Sequence, residues 1–508
     1  MSDAVDRGIT VTEIAAMDQP IDVSPETTAA FVGRALRGPL NTPVLLHNFG
    51  EFRRRFGDSW SRSSLGPAVK QFFEHGGREV WVVRVANNAR GALLCLPASG
   101  TALVLRAQEP GSTERVRAAV DYDGIAEEND EMFNLTLQRI DPIDGRVLDQ
   151  ELFRRLSYRE EAENFVADVL STSSMARVEA PFPTHRPDAT TNPDSRYELT
   201  WIEHVQEGTD GTELSDYDLI GSQRDRTGLF AFEQIESFDL LYLPPTGKHR
   251  DTGPAALLVA EQYCREREAM LIVDPRSDWD SVEAAIAGVR SLGLASPNML
   301  SYFPRVVHRE EPDTPRAVGG AIAGLLAKND RLRGPWFDIE HASFVRGLRP
   351  AVEIEDYELT ALAREGLNAI VEGTAGRSEL QAPMTMARGS ETHRLFTSLP
   401  VRRLVLRVVD TIDRATRWAV FQQPDARLAQ RVRGRIHAYL CAMADLGAFE
   451  NDRFLVQCDV TPAAPERGVT VMLSFETRGE TIALTLHQSA SGFRVAGTAF
   501  GFVTEDCA

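Results

Sequence analysis

Residues 65–85, LGPAVKQFFEHGGREVWVVRV, decide the fold of this 508-residue chain. Pro67 marks the first turn of a helix, and the Gly76-Gly77 pair marks its end. The run that follows, REVWVVRV, is almost continuously apolar, which is typical of a strand buried on both faces of a sheet. Helix, turn and buried strand together predict an α/β fold.

The same alternation continues on both sides of this stretch. Before it, AAFVGRALRGP and TPVLLHNFGEFRRRFG read as a strand with a Gly/Pro turn and a strand with a short helix. Far downstream, FDLLYLPPTG, GPAALLVAEQYCRERE and AMLIVDP resume the strand and helix pattern. We therefore expect a discontinuous α/β core that is formed by residues 28–89 and 228–379.

The remaining segments differ in pattern. Residues 90–227 are rich in β-like runs and predict an inserted domain, and residues 121–151 within it carry ten acidic residues against two arginines. Residues 380–508 predict a C-terminal domain with two helices and closing strands. Residues 1–27 form a separate N-terminal segment.

That N-terminal segment contains a strand without a partner. GITVTEI (8–14) alternates apolar and polar side chains, yet neither a turn nor a second strand follows it. An unpaired strand leaves its backbone groups without hydrogen bonds unless it joins another sheet. The alternative is a frayed terminus.

Charge and composition limit the classes of function. The net charge of −19 argues against general nucleic-acid binding. The five cysteines are scattered without a CxxC pair, so they fit neither a disulfide framework nor a zinc site. We recognise neither a signal peptide nor an apolar run long enough for a bilayer, so the sequence predicts a protein of the cytosol without membrane insertion.

Candidate chemical sites are weak. PPTGKHRDTG has the Gly-Lys pair of a phosphate-binding loop but lacks its upstream glycine. VGGAIAGLL lacks GxGxxG spacing, so close helix packing explains its glycines better. The ten histidines show no metal-ligand spacing. We predict no catalytic, cofactor-binding or metal-binding residues, and a cytosolic α/β enzyme of unknown substrate remains the alternative.

A local basic stretch stands out in this acidic chain. Residues 388–440 hold eleven arginines and four acidic residues, a local excess of seven positive charges. One helix there is expected to bury Leu428, Val432, Ile436, Leu440 and Met443. Its adjacent face then carries Arg427, Arg431 and Arg435 at i, i+4 spacing. The alternative reading is an ordinary solvated helix face.

The ordered features resemble the contractile tail sheath proteins of bacteriophages, R-type pyocins and extracellular contractile injection systems. GITVTEI is similar to that family's PGVYVEEI start, and residues 65–85 resemble its L..AV..FF..GG...YVVRV segment. Further motifs follow in the family's order: FNLTLQ, DLLYLPP, MLIVDP, SYFPRV, AVGGAIAGLLAKND, AREGLNAI and FLVQCD.

The resemblance implies a structural subunit that polymerises as stacked rings around an inner tube and contracts to drive that tube through a cell envelope. Its implied partners are copies of itself, the inner tube protein, and baseplate and tail terminator proteins, with no direct nucleic-acid contact. The particle would assemble in a bacterial or host cytoplasm and end in a virion tail or injection particle. A static self-assembling scaffold is a further alternative.

The resemblance also implies roles for particular residues. An N-terminal arm strand (Ile9, Thr10, Val11, Thr12, Glu13 and Ile14) and a C-terminal arm strand (Thr481, Ile482, Ala483, Leu484, Thr485 and Leu486) would pair with neighbouring subunits. Arg427, Arg431 and Arg435 would face the tube, and the inserted domain would lie outside the cylinder. Residues 372–390 and 488–508 depart from the family pattern, so the resemblance assigns them no role.

Overall fold

The computed structural model describes residues 21, 23, 26–192, 195–247, 250–373, 376–388, 396–461, 468–489 and 492–500. Within them the α-helices are α1 (Phe49–Phe56), α2 (Leu65–Glu74), α3 (Val166–Leu170), α4 (Asp216–Ile220), α5 (Pro254–Glu266), α6 (Val282–Leu292), α7 (Gly319–Arg333), α8 (Asp356–Arg364), α9 (Leu399–Thr416) and α10 (Ala426–Asp445). Short 3-10 helices span Gly228–Gln234, Arg417–Phe421 and Glu450–Asp452.

The strands run in chain order from β1 to β23. They are β1 (Ala29–Gly33), β2 (Val44–Leu46), β3 (Val80–Arg84), β4 (Leu93–Ala98), β5 (Thr101–Ala107), β6 (Arg115–Asp121), β7 (Met132–Ile140), β8 (Val147–Ser157), β9 (Ala176–Glu179), β10 (Thr191–Asn192), β11 (Ser195–Leu199), β12 (Leu240–Tyr242), β13 (Met270–Val273), β14 (Met299–Phe303), β15 (Val306–His308), β16 (Glu311–Arg316), β17 (Leu348–Pro350), β18 (Asn368–Glu372), β19 (Ser378–Gln381), β20 (Phe454–Thr461), β21 (Gly468–Thr477), β22 (Glu480–Gln488) and β23 (Phe493–Phe500).

An eight-stranded sheet forms the centre of the fold, in the order β19-β18-β14-β13-β12-β1-β3-β2. Its six inner strands are parallel, and the edge strands β2 and β19 are antiparallel to their neighbours. Ala29 of β1 lies beside both Val80 of β3 and Leu240 of β12. Strands from before residue 89 and after residue 228 therefore share one sheet, and the predicted α/β class is confirmed. The domain limits at residues 27, 89, 227 and 379 remain predictions.

Both faces of the central sheet are buried, as the continuous apolar strands predict. Phe31 packs on one face with ring centroids 5.7 Å from Phe72 and 5.2 Å from Tyr242. Ala30 and Val32 belong to the apolar core on the opposite face. Alternation along a single strand thus serves two layers of helices.

The glycine-rich run 318–326 lies at the start of α7, which packs closely on α2. A Cβ atom at Gly320 would lie 2.3 Å from the Ala68 carbonyl oxygen, and one at Gly324 would lie 2.4 Å from the Phe72 carbonyl oxygen. Only glycine permits this approach of two helix backbones. The packing interpretation of this run is confirmed.

The region between residues 90 and 227 is rich in β-structure and has its own apolar core. It contains the antiparallel sheets β4-β5-β9 and β6-β7-β8 and the hairpin β10-β11. Leu94, Leu105 and Phe133 are fully buried in that core.

Two arginines, one of them fully buried, join this region to the central part of the fold. Arg84 at the end of β3 donates to the carbonyl oxygens of Ala35 (3.0 Å), Gly38 (2.6 Å) and Pro110 (2.6 Å). Burial lowers the pKa of this guanidinium to about 10. Arg55 pairs with Glu109 at 2.9 Å, so charged groups of both parts fix the joint.

The C-terminal part combines two helices with an antiparallel sheet. Strands β20-β21-β22-β23 pair in sequence order, and α9 and α10 share one apolar core with them. Among the described residues, no helix combines the length and the apolar character that a bilayer crossing requires.

Candidate assembly surfaces

The helix α10 carries the predicted arginine face. Asp425 begins the helix, since its carboxylate accepts a hydrogen bond from the Leu428 backbone N–H at 2.7 Å. The predicted stripe is buried as a whole: Leu428, Val432, Ile436, Leu440 and Met443. The apolar side of α10 is therefore confirmed.

The three predicted arginines lie together on that helix but in different surroundings. Arg427 and Arg431 are exposed, and Arg435 is half-buried. The guanidinium carbons of Arg431 and Arg435 lie 5.2 and 5.6 Å from the centroid of the Trp418 ring. Arg427 forms no ion pair with any residue that the structure describes. A contact with the tube remains a prediction for all three.

Several other arginines of the basic stretch bind acidic residues within the subunit. Arg403 pairs with fully buried Asp330 through two hydrogen bonds, one of 2.8 Å from Nη1 to Oδ1. Arg407 pairs with Asp239 at 3.1 Å, and Arg388 with Glu365 at 2.8 Å. Part of the local excess of charge therefore forms bonds within the subunit, and Arg403 and Arg407 join α9 to the central part of the molecule. Sequence reasoning missed these bonds because the acidic partners lie far away in the chain.

The predicted N-terminal arm, Ile9 to Ile14, lies outside the described residues. The segment that leads to it is partly described. Ile21 and Val23 are partly buried against the apolar core of α9, α10 and the C-terminal sheet. Arg407 Nη2 donates to the Glu26 carbonyl oxygen at 2.9 Å. The chain thus enters the fold along α9, beside the C-terminal sheet.

The predicted C-terminal arm lies inside the C-terminal sheet. Residues Thr481, Ile482, Ala483, Leu484, Thr485 and Leu486 lie within β22, which pairs with β21 on one side and β23 on the other. Ile482, Leu484 and Leu486 are buried in the subunit's own core. A strand with both edges occupied has no free backbone groups for a neighbour, so within the single chain these residues form an inner strand, and their exchange between subunits stays a prediction.

The C-terminal sheet instead offers its two outer strands. Among the described residues, β20 and β23 each pair on one side only. Arg433 Nε donates to the Val456 carbonyl oxygen of β20 at 3.2 Å, so α10 lies close to that strand. Strand β23 directly precedes the last residues of the chain.

A cleft of about 560 Å³ separates the end of α5, helix α9 and strands β22 and β23. Burial raises the pKa of the Glu268 carboxyl group in this cleft to about 6, although the charges of Arg402 and Arg494 oppose that rise. Burial also lowers the pKa of Arg402 to about 10. Arg494 Nη1 of β23 spans the cleft and donates to the Glu266 carbonyl oxygen at 3.3 Å.

The position at which α/β enzymes bind ligands is filled by side chains. Such ligands lie at the carboxyl ends of parallel strands. Here the Tyr242 hydroxyl donates to the Asp274 carboxylate at 2.5 Å, and the same carboxylate accepts from Gly319 N at 3.0 Å. The remaining volume of about 20 Å³ is enough for about one water molecule. Within the described residues, no group of three His, Cys, Asp or Glu side chains has a metal-binding arrangement.

Comparisons with known proteins agree with the resemblance. No family model matches the chain. A tail sheath protein of Vibrio phage KVP40 is 31% identical over 150 residues, which are 28% of this chain and 21% of that relative. The chain thus matches about a fifth of the length of this curated relative.

Similarity to solved structures extends over nearly the whole chain. The sheath tail protein of Listeria innocua superposes with a TM-score of 0.63 at 13% identity, over 93% of this chain and 97% of that one. The helical sheath of the anti-feeding prophage, in its contracted state, superposes with a TM-score of 0.52 at 12% identity over 99% of both chains. The resemblance to contractile tail sheath proteins is therefore confirmed, and the fold is the one that such sheath proteins have.

Proposed function

We propose that this chain is the sheath subunit of a contractile tail or injection particle. It polymerises as stacked rings around an inner tube and contracts to drive the tube through a target envelope. The observation that carries this proposal is the similarity of fold to sheath proteins over almost the full length of the chain. The sequence match to a phage tail sheath protein supports it. The role is structural rather than enzymatic.

Contraction without a bound fuel requires two packings of the same subunit that differ in free energy. The baseplate at one end triggers the change, and a terminator protein closes the other end. Each ring biases its neighbour, so the change travels along the cylinder. Links between rings have to survive the movement, and strands that pair across subunits provide such links.

The N-terminal arm is the proposed link. Residues Ile9 to Ile14 add to an outer strand of the C-terminal sheet of a neighbouring subunit. The described segment supports this role, since Ile21 and Val23, the described residues nearest to the arm in sequence, pack beside the C-terminal core. Backbone hydrogen bonds of an added strand tolerate rigid-body rotation of the subunits.

Electron microscopy of the purified chain tests the function. The expected result is long hollow cylinders that become shorter and wider after mild denaturant treatment. A static scaffold would give cylinders of one length and width only. Compact oligomers that never elongate, together with turnover in a broad substrate screen, would favour the enzyme alternative instead.

Charge reversal tests whether the arginine face of α10 contacts the tube. Arg427→Glu is the cleanest variant, because Arg431 and Arg435 also stack on Trp418 within the subunit. We expect a few-fold weaker coating of tubes at low salt and little difference at high salt, since salt screens exposed charges. Arg154→Glu, at an exposed arginine of β8, is the matched control. Equal coating by wild type and Arg427→Glu at every ionic strength would leave α10 as a solvated face.

A further inference from the structure

Phe421 is an apolar side chain that the fold leaves almost entirely in water. Its side chain is 91% exposed at the end of the 3-10 helix Arg417–Phe421, between α9 and α10. Single exposed apolar residues are common on protein surfaces, so the exposure alone carries no conclusion. Its neighbours and the rigidity of its turn distinguish this residue.

The turn that presents Phe421 is held from several directions. The Ala419 carbonyl oxygen accepts hydrogen bonds from Gln422 N at 3.1 Å and from Gln488 Nε2 of β22 at 3.0 Å. The Trp418 indole N–H donates to the Ala415 carbonyl oxygen at 2.9 Å. Ala419 itself is fully buried. The phenyl ring thus projects from a fixed backbone, which reduces the entropy that binding would cost.

The surroundings of Phe421 are aromatic and cationic. Trp418 lies in the same 3-10 helix and stacks with Arg431 and Arg435. Arg427 is exposed in the first turn of the following helix. Asp425, the acidic residue between them in sequence, already accepts the Leu428 N–H as the helix cap. Aromatic residues and arginine are the types that dominate binding energy at protein interfaces.

We propose that Phe421 is the apolar anchor of a docking surface formed by Trp418, Phe421, Arg427, Arg431 and Arg435. The partner is an acidic protein surface with an apolar recess for the phenyl ring. Charge complementarity selects this partner, since the surface is basic within a chain of net charge −19. The proposal rests on the proposed function and identifies that partner as the outer face of the inner tube.

A protein partner fits this surface better than a nucleic acid does. Two arginines already lie against the half-buried Trp418 ring, so less of that ring is open to the base stacking that single-strand-binding proteins use. Phe421 is thus the one fully exposed aromatic ring of the surface. An isolated ring among arginines suits a recess in a protein.

The test compares Phe421→Ala, Phe421→Trp and Ile143→Ala in sedimentation with tubes assembled from the tube protein of the same particle. Ile143 is the matched control, since it is 93% exposed and lies in the β7–β8 hairpin. We expect Phe421→Ala to need roughly tenfold or more protein for the same coating. The loss should persist at high salt, because burial of an apolar ring is not screened. Phe421→Trp and Ile143→Ala should coat like wild type, and all variants should keep the wild-type thermal transition.

Three outcomes would overturn the proposal. If Phe421→Ala coats tubes at the same protein concentration as wild type, Phe421 is not an anchor. An equal defect of Phe421→Ala in polymerisation without tubes assigns the residue to contacts between sheath subunits. If the wild-type chain binds a single-stranded oligonucleotide and Phe421→Ala does not, the surface binds nucleic acid instead. Failure of the wild-type chain to form cylinders is a separate result, which concerns the proposed function alone.

Discussion

At the scale of single residues, the pair Arg403–Asp330 fixes α9 to α7. Asp330 is 0% exposed and also accepts a hydrogen bond from the Thr27 hydroxyl. Three segments that lie far apart in the chain therefore meet at one carboxylate. Removal of one partner from such a pair leaves a buried charge without compensation.

We expect Arg403→Met to lower the free energy of unfolding by about 3–5 kcal/mol. Urea denaturation followed by fluorescence measures this loss. Arg276→Met is the control, because Arg276 and its partner Asp278 are both well exposed and pair at 3.1 Å. Its loss should stay below about 1 kcal/mol. Equal midpoints for the two variants would contradict the stabilising role of the buried pair.

At the scale of elements, the end of α2 is held by a neutral histidine. His75 Nδ1 donates to the Gln71 carbonyl oxygen at 2.8 Å, and Nε2 accepts from the Val345 N–H at 3.2 Å. Burial lowers the pKa of His75 below its ordinary value. Protonation would remove the acceptor that Val345 needs.

The lowered pKa predicts a loss of stability in acid. The unfolded chain takes up a proton near pH 6.5 while the folded chain resists it, so stability falls as the pH drops below about 6.5. We expect the free energy of unfolding of wild type, measured by thermal denaturation, to fall more steeply below that pH than that of His75→Gln. The two slopes should differ by at most about 1.4 kcal/mol per pH unit. His341→Gln, at an exposed histidine, should follow wild type. Parallel curves for wild type and His75→Gln would contradict the assignment.

The N-terminal arm predicts a defect in assembly without a defect in folding. Deletion of residues 1–16 removes several intermolecular hydrogen bonds of about 0.5–1.5 kcal/mol each. The variant should keep its thermal transition and fail to form long cylinders. Thr10→Pro should weaken assembly in the same direction, since proline removes one donor of the strand. The control Ala4→Pro lies outside the predicted strand and should assemble normally. If the deletion variant unfolds at a lower temperature than wild type, the arm belongs to the fold of its own subunit.

The elements also show what sequence can and cannot predict. Continuous apolar runs such as 80–84 predicted the buried parallel strands, and i, i+4 spacing predicted the buried face of α10, because both patterns are local. The pattern TIALTL predicted a strand but not its partners, since an exchanged arm and an inner strand alternate in the same way. The anchoring roles of Arg403 and Arg407 depend on distant carboxylates. Phe421 had no local signal at all, because exposure is a property of the folded chain.

At the scale of the whole molecule, the region 90–227 is predicted to lie on the outside of the cylinder. Its complete removal would expose Arg84 and Arg55, which donate to residues 109–110. A milder test is the insertion of a small folded domain between Asp144 and Gly145, beside fully exposed Ile143. We expect normal cylinders of larger diameter by electron microscopy. The same domain inserted between Gln423 and Pro424 should prevent coating of tubes. Normal coating by both insertion variants would contradict the proposed orientation.

The order of strands in the central sheet has a consequence for synthesis of the chain. Strand β1 lies between β3 and β12, yet about 200 residues separate it from β12 along the sequence. At ribosomal rates of about 5–20 residues per second, β1 waits roughly 10–40 s for its second neighbour. During that interval the region after residue 90 can fold on its own core, while one edge of β1 stays open. An open edge is a template for wrong pairing, so nascent chains on one messenger RNA are most exposed to mispairing at this stage.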